Sequence, residues 1–248
     1  NDLADALAAL TPDERQKLYA VLGVDTVAEI FSYLDDAEPY LKELPSEKAA
    51  NVVSHMDSDD AVDALDDLEE EDKAKIVGQL DKDSAEDVKM LLSYGEDEIG
   101  SRMTTNCIVL HEGLTVKDAM NELVRQAEEN DNMTTLFVVD ETDCFYGAIA
   151  LKDLIVARSG VPLESLIATS FPYVYANETI DDCIEQLKDY SEDLIPVLDN
   201  QNKLLGVITA QSLIDVVDEE MGEDYAKLAG LTAVSYTHLR AHETRRHL

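Results

Sequence analysis

One pattern runs twice through this chain, over residues 103–158 and again over 167–220. Each copy reads as an apolar strand, a Thr-led helix, a second strand ending in Asp, a polar turn, a third strand holding one Gly, and a second helix. Thr115-Val116 corresponds to Thr179-Ile180, Val138-Val139-Asp140 to Val197-Leu198-Asp199, and Gly147 to Gly206. The first copy carries extra residues in the polar segment 128–132, where a loop accommodates an insertion. Strand periodicity giving way to helical periodicity in the same order twice predicts two β-α-β-β-α units in tandem.

Before the repeat, from Leu3 to about Ile99, strand signals are nearly absent and short helices follow one another. Thr11-Pro12-Asp13-Glu14 combines an N-cap, a proline at the first helical position and a capping-box glutamate, and Pro45-Ser46-Glu47 starts another helix. Further helices open at Asp57 or Ser58, at Leu68-Glu69 and at Asp81 to Ser84, each followed by apolar residues three or four apart. The short turns predict that successive helices pack antiparallel in a small superhelical stack. Asp59 and Asp63 lie one helical turn apart on a shared face, a spacing that also suits the dipole at a helix start. Asp81-Lys82-Asp83-Ser84 begins like a calcium-binding loop. Glu86 and Leu92 stand where such a loop needs glycine and glutamate, so that reading fails.

The chain ends its second repeat in an unusual segment, Leu204 to Leu231. Leu204 to Thr209 is an apolar strand, and Leu213, Val217, Met221, Tyr225 and Leu228 then form one helical stripe. Asp215, Asp218, Glu219, Glu220, Glu223 and Asp224 occupy most of the rest of that helix. Carboxylates this dense repel one another, so the helix is either a solvated face or one that cations or a basic partner neutralise.

The whole chain shares this bias. Its 54 acidic against 19 basic residues give a net charge of −35, which repels nucleic acid and anionic lipid and favours divalent cations. A hydrophobic fraction of 45% places those carboxylates on folded surfaces rather than in a disordered tail. Cys107, Cys144 and Cys183 are odd in number and widely spaced, against disulfides or a zinc site. No apolar run approaches the roughly 20 residues that span a bilayer. Residues 235–248 depart from this composition: Tyr236 to Leu248 is rich in His and Arg, and SYTHLRAHET resembles translated adaptor or vector sequence. We read it as a foreign tail, and the His238/His242 pair with it.

The two copies resemble CBS motifs, together a CBS pair. With the helical stack before them, the junction LLSYGEDEIGSRMTTN at 91–106 and the ending EEMGEDYAKLAGL at 219–231, the order is similar to the cytosolic region of the MgtE family of magnesium transporters. The resemblance implies an α+β protein: an N-terminal all-α superhelical domain over 1–100, CBS units over 101–160 and 161–220, and a C-terminal connecting, plug-type helix over 213–233. It implies Mg²⁺ sensing by carboxylates between domains, with Asp59, Asp63, Asp181, Asp215, Glu220, Glu223 and Asp224 as the ligands. It also implies a homodimer through the CBS units, a linked membrane domain absent from this chain, and a place at the cytoplasmic face of the membrane. The chain departs from the family at Gln211-Ser212, where an Asp-Asp pair is usual, and at Thr179, where an acid is usual; fewer or weaker sites are expected.

A second reading is a module that senses adenine nucleotides such as ATP. CBS pairs use Gly-x-x-Thr/Ser-x-x-Asp for this. The stretch Gly147 to Asp153 keeps the acid, Asp153, without the hydroxyl, and Gly206 to Ser212 keeps the hydroxyl, Thr209, without the acid. An enzyme is disfavoured: His55 and His111 stand alone, and no nucleophile-base set or phosphate-binding glycine loop occurs.

Overall fold

The computed structural model describes residues 2–214 apart from 35, 67, 96, 128, 129, 131, 159, 188–191 and 211. The first half is helical: α1 (Asp2–Ala8), α2 (Pro12–Leu22), α3 (Val24–Phe31), α4 (Glu38–Lys42), α5 (Ser46–Val53), α6 (Ser58–Asp66), α7 (Glu70–Val77) and α8 (Lys82–Leu91). The anticipated caps form. The Glu14 carboxylate accepts from the Thr11 N–H at 2.9 Å and from its hydroxyl at 2.7 Å, and Asp81 accepts from the amides of Asp83 and Ser84, each at 3.0 Å. Gly23 ends α2 at φ 82°, a positive value that residues with a side chain rarely adopt.

The packing differs from the expected neighbour-on-neighbour stack. The main pairings are α3 on α5, α5 on α7 and α6 on α8, next-but-one along the chain. Helices of two turns each bury one apolar stripe, such as Val27, Ala28, Ile30 and Phe31 of α3 or Ala49, Ala50, Val52 and Val53 of α5. Alternate helices therefore line the same wall of the superhelix, and their stripes meet across it.

After a 3₁₀ turn at Ile99–Ser101, the two repeats fold alike. The first contains β1 (Ile108–His111), α9 (Val116–Gln126), β2 (Thr135–Val139), β3 (Phe145–Ala150) and α10 (Leu151–Val156). The second contains β4 (Val174–Tyr175), α11 (Ile180–Leu187), β5 (Leu194–Leu198) and β6 (Leu204–Thr209). In each, the first strand pairs parallel and the third antiparallel to the second, with a register shift at Val138/Val139 and again at Val197/Leu198. The polar turns match as well. Asp140 and Asp199 accept backbone N–H bonds within them, and Asp143 and Asn202 adopt φ 63° and 64°.

Each sheet is completed by a segment from outside its own unit. Thr104 pairs with Val207 of β6, and Ala168 with Ala148 of β3. The segment 97–100 is likewise bonded to the second unit: Ile99 N–H donates to the Glu178 carbonyl at 2.9 Å, and Gly100 N–H to that of Ala176 at 2.8 Å. The apolar core follows this stitching. One cluster runs from the helices through Ile99 and Met103 into Val174, Ile180, Ile184, Val197 and Ile208, whereas the first unit keeps a separate core around Ile108, Leu136, Val138 and Ile149. No helix among the described residues is long and apolar enough to cross a membrane.

Candidate functional site

The acidic start of α6 meets the segment 102–106 where the helical half joins the repeats. Ser58 is buried, and its hydroxyl accepts from the Thr105 N–H at 2.9 Å. Asp57 Oδ1 accepts from Asn106 Nδ2 at 2.7 Å. Asp63, one turn on from Asp59, has its Oδ1 3.7 Å from Arg102 Nη1. From α8, Asp87 Oδ2 accepts from the Thr105 hydroxyl at 2.8 Å.

The electrostatics of this seam are unfavourable to the ionised carboxylates. Burial, and then the neighbouring Asp57 charge, hold the Asp59 carboxyl above its usual range, and its buried Oδ1 has no hydrogen-bond partner among the described residues. Burial followed by the Asp59 charge pushes Asp60 up to about 7. Asp87 is raised as well, chiefly by burial. Beside them opens a cavity of about 760 Å³ lined by Asp60, Asp63, Asp66 and Glu70, with Lys73 and Arg102 as its cations.

Asp59 and Asp63 thus face one short segment. Asp181 is apart from them, exposed in the first turn of α11, and among the described residues no three His, Cys, Asp or Glu side chains converge as a metal-holding group. Asp215, Glu220, Glu223 and Asp224 lie outside the described residues. A carboxylate oxygen that is buried without a partner, among like charges, is the donor type that Mg²⁺ takes. Asp60, Asp87, Thr104, Thr105 and Asn106 escape a reading by spacing. Only the polar run Thr104-Thr105-Asn106 directly after the junction hints at them, because burial by a distant helix leaves no local mark.

The nucleotide residues occupy equivalent turns of the two units. Asp153 is exposed in the first turn of α10, whose N-cap, Ala150, has no hydroxyl. Thr209 Oγ1 lies 2.8 Å from Ser212 Oγ and accepts the Ser212 N–H at 2.9 Å, so this hydroxyl caps the turn that follows β6.

Comparison with known proteins gives a consistent picture. The MgtE intracellular N domain family matches residues 1–97, and the CBS domain family matches 97–160 and 163–219. The magnesium transporter MgtE of Enterococcus faecalis is 36% identical over 227 residues, covering 90% of this chain and 50% of that protein. The chain therefore spans about half the length of this relative, and 51% of the one from Bacillus subtilis. A crystal structure of the soluble part of a magnesium transporter superposes with a TM-score of 0.83 at 30% identity, covering 88% of this chain and 87% of that one. The cytosolic domain of the Mg²⁺ channel MgtE in complex with ATP superposes with a TM-score of 0.78 at 28% identity, covering 87% and 89%.

Proposed function

The chain belongs to the MgtE family of magnesium transporters, and on that premise we propose that it is the cytosolic module that senses Mg²⁺ and regulates the flux of a linked membrane domain. The observation that carries this reading is the Asp59 carboxylate, desolvated beside Asp57 and Asp60 with one oxygen lacking a partner among the described residues. Asp59, Asp63 and Asp181, with Asp215, Glu220, Glu223 and Asp224 of the connecting helix over 213–233, would be the carboxylates that hold Mg²⁺ ions. Bound Mg²⁺ supplies neutralising charge, and with several waters retained it needs no dense protein cage. Without it, facing carboxylates repel and favour separated domains; neutralised, they favour closure, a population shift that shuts the pore as Mg²⁺ accumulates.

The module is a regulator rather than an enzyme, works as a homodimer, and sits at the cytoplasmic face of the membrane. The apolar side chains of Val124, Ile155 and Val156 support the dimer: they are 62%, 60% and 68% exposed on the neighbouring helices α9 and α10 of the first unit. Titrating the purified chain with Mg²⁺ under small-angle scattering tests the central claim. Compaction is expected, with its midpoint lowered when Asp215, Glu220, Glu223 and Asp224 are changed together to amides. Unaltered dimensions up to millimolar Mg²⁺ would overturn it.

ATP is the second ligand of this reading, favoured by the relative described in complex with it and by Thr209 and Asp153 in equivalent turns. Calorimetry with ATP, with and without Mg²⁺, decides that point, and D153A is expected to weaken binding.

A further inference from the structure

Three hydrogen bonds across the seam between the helical half and the repeats run the same way, with side-chain acceptors on the helical half and donors on the repeats. Asp57, Ser58 and Asp87 of the helical half accept. Asn106 Nδ2 and the Thr105 N–H and hydroxyl donate. The donors are anchored in the CBS pair. Thr104 exchanges backbone hydrogen bonds with Val207, both 2.8 Å, and the Asn106 carbonyl accepts from Asn132 Nδ2 at 2.9 Å. Ser58, Thr104 and Asn106 are buried and Asp87 and Thr105 half-buried, so most of these groups have exchanged water for protein, while Asp57 stays exposed.

We propose that Thr105 and Asn106 form a metal-independent latch, holding the helical domain on the CBS pair through Asp57, Ser58 and Asp87 and thereby setting how much cation closure requires. The physical basis is the asymmetry of buried hydrogen bonds: opening the seam rehydrates every group at modest net gain or loss, but closing it with one donor missing strands a carboxylate. The Asn106–Asp57 and Thr105–Asp87 bonds, at 2.7 and 2.8 Å, are the short ones of the seam. Repulsion among Asp57, Asp59 and Asp60 opposes the latch, so closure is a balance that the latch shifts. The link to Mg²⁺ rests on the proposed function; the latch itself does not, because it contains no ion.

The test compares the whole chain with a T105V/D57A variant and with D87A and D87N, in EDTA and across a Mg²⁺ titration. The readouts are hydrogen exchange over 101–107 and the radius of gyration, with circular dichroism reporting folding. In EDTA, T105V/D57A and D87A are expected to exchange about tenfold faster than wild type and to be more extended, while D87N, which keeps an acceptor for Thr105, stays close to wild type. The Mg²⁺ midpoint for compaction should rise about tenfold in the first two. Exchange and dimensions equal to wild type in EDTA would overturn the latch. Should the double variant lose its helical signal, T105V alone decides, since it removes the donor to Asp87 and leaves every charge of the seam in place. A difference in EDTA with no response of any chain to Mg²⁺ would uphold the latch and remove the sensing role.

Discussion

Gly206 lies so close to Thr104 that a Cβ built on it would stand 2.5 Å from the Thr104 carbonyl oxygen. Gly147 stands in the same relation to Ala168 in the other unit, where the distance would be 2.7 Å. Each obstacle is backbone held by a β-bridge, so neither can move aside as a flexible side chain does.

G206A and G147A should therefore each destabilise the chain by about 3 kcal/mol, the upper part of the usual cost of overpacking. Urea unfolding measures this. G160A, with nothing near its new methyl, should stay within about 0.5 kcal/mol of wild type. An equal response at all three positions would refute the crossed-segment account.

Stability should decline as the pH rises toward neutrality. Asp60 titrates at about 7 in the folded chain against an ordinary value of 3.8, and Asp59 is displaced in the same direction. The folded state thus binds more protons between those values, so the contribution is complete below the lower one and lost through the upper. At still lower pH the opposite group intervenes, because Asp81 and Asp140 are held below their usual range by hydrogen bonds to the carboxylate. Urea midpoints at about pH 5 and 7.5 should differ in favour of the acid side, and D60N should flatten that slope and stabilise the chain at the higher pH by roughly 1 to 3 kcal/mol. A slope unchanged in D60N would locate the dependence elsewhere.

The three thiols should differ in reactivity. Burial pushes Cys107 up to about 12, and burial with the Glu178 charge raises Cys183 further, while Cys144 is only half-buried in its turn. Thiolate is the reactive form, so one thiol per native chain should label quickly and mass spectrometry should find it at Cys144. Rapid labelling of Cys183 would mean that the shared core opens readily.

I155E should weaken self-association, because a carboxylate in an apolar contact must be desolvated without a partner. Sedimentation equilibrium is the measurement. An unchanged dimer constant would move the interface off α9 and α10.

Much of the architecture was legible from local chemistry. Caps such as Thr11 with Glu14, and Asp81 with Ser84, depend on residues three or four apart, and the two copies of the repeat share strand order, polar turn and glycine position because the same local rules act twice. The partnership of Asp59 and Asp63 in facing one segment also follows from helical spacing. What spacing missed was distance in the chain. Asp60 follows Asp59 directly, and nothing nearby marks it for burial; Ser32, from the end of α3, is what lies beside it. Thr105 and Asn106 read as loop polar residues until α6 and α8 close over them.

By itself, then, the amino-acid sequence determined where helices and strands begin, that the second half is a duplicated unit, and that the surface is strongly acidic, since each depends on neighbours along the chain or on summed charge. Tertiary structure alone decided that alternate helices share a wall, that segments 97–104 and Ala168 cross between units, and that the helical half shares its core with the second repeat. It also decided which carboxylates lose their water. Desolvation depends on what packs over a group in space, and that partner can come from anywhere in the chain.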